Sequence, residues 1–173
     1  MDSINKTYHL QASDTVANNN QAIIQKFLEL QDSSGVRKTH LFDGRYENIY
    51  LDESHIPELV PLIEEAINHA ESILQVQNLR AGYWFNYMPP GSTTTVHTHD
   101  DDDELLSGVY YVTVPEDSGN LIIHDGSEKI EITSKAGEFI FFGPDVVHEV
   151  SKNNSSEYRL SIGINFGRDT DEQ

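Results

Sequence analysis

The hydrophobic pattern of the chain changes period near residue 79. Before that point apolar positions recur three and four residues apart. Leu59, Val60, Ile63, Ala66, Ile67 and Ala70 mark one stripe of a helix that needs a sheet or another helix to cover it. Asp52 or Ser54 precedes this helix, Pro57 fits its first turn, and Glu58 and Glu64 suit its positive end. A second helix opens at Ser13 or Asp14 and carries Val16, Ala17, Ile23, Ile24, Phe27 and Leu28 on one side. From Leu79 onward the period becomes two, as in Lys129-Ile130-Glu131-Ile132-Thr133. Strands are expected near 80–88, 93–98, 106–114, 120–124, 128–133, 138–142, 146–151 and 157–166, separated by Gly, Pro, Asp and Asn. Eight short strands at this spacing predict a mainly β fold, a sandwich of jelly-roll type with N-terminal helices packed on one sheet. The expected organisation is one domain over 1–173: a helical layer at 1–78, a β core at 79–167 and a tail at 168–173.

Size and composition narrow the partners. A chain of 173 residues and 19.5 kDa is long enough for one sizeable core. Eleven Lys and Arg stand against 29 Asp and Glu, a formal charge of −18. A field of that sign repels phosphate backbones and anionic bilayers, so neither nucleic acid nor membrane is an expected partner. There is no cysteine, which removes disulfides, thiolate nucleophiles and iron–sulfur clusters, and leaves a metal only His, carboxylate and water. No signal peptide or membrane-spanning run is visible, so a cytoplasmic location is expected.

The chemistry concentrates on two motifs. His97-Thr98-His99-Asp100 closes the second expected strand, and the i, i+2 spacing puts both imidazoles on one face. His148 follows 51 residues after His97. Two donors on one strand and a third on a later one suit a facial metal site with open positions, and the absence of sulfur favours Fe(II). Arg159-Leu160-Ser161 lies eleven residues further on, in an apolar strand, with Arg159 and Ser161 on one face. A buried arginine needs an anionic partner, and its fork matches a carboxylate. The acidic run Asp100-Asp101-Asp102-Asp103-Glu104 reads as a solvated loop, and His69 as a partly exposed helix residue. His124 reads as a turn-flanking residue, and His9, His40 and His55 have no partner motif.

Over residues 79–167 this pattern resembles the Fe(II)/2-oxoglutarate-dependent oxygenases, in particular the prolyl-hydroxylase-like branch. The resemblance implies a double-stranded β-helix, iron held by His97, His148 and a third ligand, and 2-oxoglutarate anchored by Arg159 and Ser161. Tyr111 matches a tyrosine that contacts 2-oxoglutarate, and Tyr87, ten residues before His97, matches another that lines its pocket. Where the family carries Asp or Glu, this chain has His99. The third ligand is therefore His99, which shares the face of His97, or a carboxylate from Asp100 or Asp101. The implied partners are 2-oxoglutarate, O2 and an unknown prime substrate, with ascorbate as a further reductant. The implied activity is hydroxylation with release of succinate and CO2. The competing readings are a three-histidine cupin-type dioxygenase or isomerase without 2-oxoglutarate, and a non-catalytic metal-binding barrel.

Overall fold

The computed structural model describes residues 7–97 and 103–169. In chain order the elements are β1 (Tyr8–Gln11), α1 (Asp14–Ala17), α2 (Asn20–Leu30), β2 (Arg37–Phe42), β3 (Arg45–Tyr50), α3 (Leu59–Leu74), β4 (Leu79–Met88) and β5 (Thr94–His97). They continue with β6 (Glu104–Thr113), β7 (Leu121–Asp125), β8 (Glu128–Ile132), β9 (Glu138–Phe142), β10 (His148–Val150) and β11 (Arg159–Arg168). The larger sheet runs β1-β9-β6-β11-β4-β3-β2 and the smaller β5-β10-β7-β8. The eight strands expected after residue 79 are β4 to β11. They cross back and forth between the two sheets, which is the double-stranded β-helix form of a jelly roll.

The layering is set by β11, which lies between β6 and β4. Leu160, Ile162, Ile164 and Phe166 join Ile23 and Phe27 of α2 and Leu62 and Ala66 of α3 in the main core. The alternate residues Arg159, Ser161, Gly163 and Asn165 face the space between the sheets and line a pocket there. A central strand covered on both faces normally reads as a continuous apolar run. Here the polar half marks a cavity in place of core. A second apolar cluster, with Ile123, Ile140, Phe142 and Val146, fills the rest of the inter-sheet space. On the outer side, Ala66 and Ala70 lie one turn apart on the buried face of α3, with too little bulk to hold the helix off the sheet. His69 of α3 meets the rings of Phe139 and Phe141 edge-on.

The first 78 residues are only partly a helical layer. β1 extends the larger sheet beside β9, and the β2–β3 hairpin extends it at the opposite edge, where Ile49 pairs with Phe85. These strands carry few inward apolar residues, so no period-two apolar signal announces them. The first expected helix is also divided. Ser13 caps α1 by accepting from the Val16 N–H at 3.3 Å, and the chain restarts as α2 after Asn18 and Asn19. Among the described residues, no helix is long and apolar enough to cross a membrane.

Candidate active site

His97 and His148 are direct cross-strand partners in the β5–β10 ladder, so their side chains share a face. Their ring centroids lie 4.3 Å apart with the planes tilted by 56°. Each ring is held the same way: His97 Nδ1 lies 2.6 Å from the Thr95 carbonyl oxygen, and His148 Nδ1 lies 2.9 Å from that of Val146. A carbonyl oxygen can only accept, so Nδ1 carries a proton in both rings, and Nε2 is the atom left to offer a lone pair to a metal. This orientation of an imidazole by a backbone acceptor is the usual support of a metal-ligating histidine. Two adjacent imidazoles in that tautomer fit a borderline divalent ion such as Fe(II). Among the described residues no third His, Asp or Glu completes a metal-binding group. The sequence candidates for that place, His99, Asp100 and Asp101, lie outside the described residues.

The strand that carries His97 is short, and it is an edge strand of the smaller sheet. Its support comes from β3. Glu47 is 6% exposed; Oε2 accepts the Thr95 N–H at 2.9 Å and Oε1 accepts the Thr95 hydroxyl at 2.8 Å. The same Thr95 accepts the His97 proton through its carbonyl. Two residues earlier, Arg45 donates to Asn86 Oδ1, to the Tyr87 carbonyl and to the Thr93 carbonyl at 2.7–3.0 Å. The hairpin thus supplies hydrogen-bond partners to the start of β5. Nothing in the sequence motifs pointed to Glu47 or Arg45.

A pocket of about 410 Å³ opens between the sheets and is lined by His97, His148, Tyr111, Arg159 and Ser161, among others. It therefore gathers both motifs. Arg159 is 1% exposed, and among the described residues it has no carboxylate partner. Its contacts are long: Nη2 to Ser134 Oγ at 3.5 Å and Nη1 to Met88 Sδ at 3.9 Å. Nε is buried with no hydrogen bond at all. Burial pushes the guanidinium pKa below its usual value, and the only opposing influence is Tyr111, whose ring centroid lies 5.2 Å from the guanidinium carbon. Burial in turn pushes the Tyr111 phenol up, against the pull of Arg159 and Ser134. That phenol stays protonated and able to donate. Ser161 is 3% exposed and pairs with both Asn86 and Tyr111 across the sheet.

Tyr87 corrects the expectation placed on it. It pairs with Leu160, on the helical face of β11, and its ring packs against Phe27 and Tyr158. The residues of β4 that line the pocket are Asn86 and Trp84, which pair with Ser161 and Gly163. Counting ten residues back from His97 found the right strand and the wrong face. His69 lies on the helical side, and His124 bonds Glu149 at 2.7 Å without lining the pocket. His40, which had no partner motif, does line it, as do Trp84 and Asn165.

Residues 82–135 match the family model described as "Putative 2OG-Fe(II) oxygenase". No curated protein sequence matches the chain. Among solved structures, a prolyl-4-hydroxylase from Pseudomonas putida superposes with a TM-score of 0.74 at 20% identity, over 95% of this chain and 94% of that one. The alpha ketoglutarate dependent carbocyclase SnoK from nogalamycin biosynthesis gives 0.76 at 17% identity, over 95% and 80%. The epimerase SnoN, in complex with Fe3+, alpha ketoglutarate and nogalamycin RO, gives 0.71 at 13% identity, over 95% and 80%. At these identities the likeness is one of fold.

Proposed function

We infer that this chain belongs to the 2OG-Fe(II) oxygenase superfamily, a reading its family-model match and its fold support, and that it is an Fe(II)- and 2-oxoglutarate-dependent oxygenase that hydroxylates its substrate. The observation that carries the reading is Arg159: a guanidinium buried in the wall of the pocket that the two adjacent imidazoles also line, with no carboxylate partner among the described residues. Burying a charge without a counter-charge is costly, and a diacid cosubstrate supplies the missing anion. A cupin-type enzyme without such a cosubstrate, or a barrel that only binds metal, leaves that cost unexplained.

His97 and His148 would hold the iron through Nε2, with the third ligand from His99, Asp100 or Asp101. Arg159 would grip the far carboxylate of 2-oxoglutarate through its fork, and Tyr111 and Ser161 would add hydroxyl donors beside it. When bound, iron and 2-oxoglutarate supply the oxidising power for O2-dependent attack on a C–H bond, with succinate and CO2 released. The protein's own work is orientation. The Thr95 and Val146 carbonyls fix the imidazole tautomers, Glu47 fixes the strand that carries His97, and the buried walls around Arg159 keep water from its charge.

Calorimetric titration of the metal-free protein tests this assignment without turnover. Mn(II) is expected to bind, 2-oxoglutarate to bind tightly only with metal present, and His148→Ala to abolish metal binding. Metal binding that survives His148→Ala would contradict the ligand assignment.

A further inference from the structure

Arg159 and Ser161 occupy only one end of the pocket, and the inner face of the larger sheet continues beyond them. The ladder register orders that face into rows. The first pairs Arg159 with Met88, and the second pairs Ser161 with Asn86 and Tyr111. The third sets Gly163 between Trp84 and Val109. The fourth sets Asn165 opposite Ser107. From Arg159 to Asn165 these rows cover about 20 Å at ~3.3 Å per residue, far longer than the carbon chain of 2-oxoglutarate.

The third row is an aromatic floor. A Cβ at position 163 would come within 2.5 Å of the Trp84 indole, so glycine is what lets that ring lie against the sheet. Tyr50 also lines the pocket, and the pairing of Ile49 with Phe85 sets it beside Trp84. Its hydroxyl is held by Thr39 and Asn48 at 3.2 and 3.3 Å, and the Arg37 guanidinium lies 4.0 Å from its ring centroid. The fourth row is polar and unmet. Asn165 Oδ1 and Ser107 Oγ are both buried without a hydrogen-bond partner, and Ser107 is 1% exposed. Folded proteins seldom leave such atoms unmet without a reason. Among the described residues Arg159 is the only Lys or Arg that lines the pocket, and Glu47 lines it as well.

We propose that the third and fourth rows bind the prime substrate, an uncharged molecule or side chain that lays a ring against Trp84 and Tyr50 and donates an N–H or O–H to Asn165. An anion is disfavoured, because Arg159 is committed to the cosubstrate and, among the described residues, the one other Lys, Arg, Asp or Glu that lines the pocket is Glu47. The proposal rests on the 2-oxoglutarate reading, which assigns the opposite end to the diacid.

Trp84 is the only tryptophan in the chain, so its emission reports on this row directly. The test loads the full chain with Mn(II) and N-oxalylglycine, an unreactive analogue of 2-oxoglutarate, and titrates cyclohexanecarboxamide or cyclohexanecarboxylate while emission is followed. The amide is expected to change the emission saturably and to bind at least about tenfold more tightly than the carboxylate. Asn165→Leu is expected to weaken the amide by about tenfold and to leave N-oxalylglycine binding unchanged. Asn165→Ala, which removes the same acceptor with less bulk, serves if Asn165→Leu does not fold. Equal binding of the two probes, no saturable response, or full amide affinity in the folded variants would overturn the proposal. Failure of N-oxalylglycine to bind the unmutated protein, with the amide response intact, would overturn the cosubstrate reading alone.

Discussion

Arg159 is the residue on which structure and function pull in opposite directions. Its side chain is among the largest fully buried ones in the protein, yet its polar neighbours are neutral hydroxyls, those of Tyr111 and of Ser134 at 3.5 Å. A charge desolvated this way, with no ion pair among the described residues to offset it, destabilises the ligand-free fold. Arg159→Met, similar in length and uncharged, is therefore expected to raise the thermal midpoint of the ligand-free protein, by roughly 2–4 °C for about 1 kcal/mol. The same variant is expected to lose the stabilisation that 2-oxoglutarate gives the metal-loaded wild type. Parallel thermal melts with and without the diacid check both halves. A variant that is less stable, and still protected by 2-oxoglutarate, would mean that Arg159 is a structural residue.

At the scale of elements, the short β5 strand depends on a hairpin that the apolar pattern did not announce. Glu47 accepts both the N–H and the hydroxyl of Thr95, and Thr95 accepts the proton of His97. Glu47→Leu keeps similar bulk but removes both acceptors, which leaves the Thr95 N–H and hydroxyl without their partner. It is expected to weaken Mn(II) binding about tenfold to a hundredfold, as loss of outer-sphere support generally does; unchanged affinity would detach the hairpin from the metal strand. The contact between β6 and α2 makes a different prediction. The Tyr110 hydroxyl donates to Asn20 at 2.6 Å, and burial pushes its pKa from 10.0 up to about 12. Below pH 10 both folded and unfolded forms hold the proton, so pH has no effect through this group. Between pH 10 and about 12 the unfolded chain loses the proton first, and stability falls as pH rises. Tyr83, also pushed up to about 12, adds to the same alkaline slope. Tyr110→Phe is expected to be less stable at neutral pH, with a shallower decline across that window in denaturant titrations.

At the scale of the whole molecule, legibility followed from where each residue faces. The β4–β11 core was readable because its strands bury one apolar side, and period two is what that burial requires. The strands of the first 78 residues were not, because the inner face of the β2–β3 hairpin turns polar groups such as Glu47 and Asn48 toward a pocket. Arg159 stood out as a rare cation in an apolar strand, and it does line the cavity with the two histidines. Tyr87 failed because a separation counted through the loop between β4 and β5 loses the period-two parity that fixes facing within one strand. Glu47 and Asn165 carry no motif; only pairing across strands reveals them. The −18 charge argues against large polyanions as partners, and it sharpens the contrast with one guanidinium held inside. The proposed function requires that this guanidinium and the paired imidazoles together bind 2-oxoglutarate on iron. Anaerobic titration of 2-oxoglutarate into the Fe(II)-loaded protein, followed by visible absorption, tests it most directly. A saturable charge-transfer band is predicted in the wild type, shifted to about a hundredfold or more higher diacid concentration by Arg159→Met. No band in the wild type, or one that Arg159→Met leaves where it was, would contradict the account.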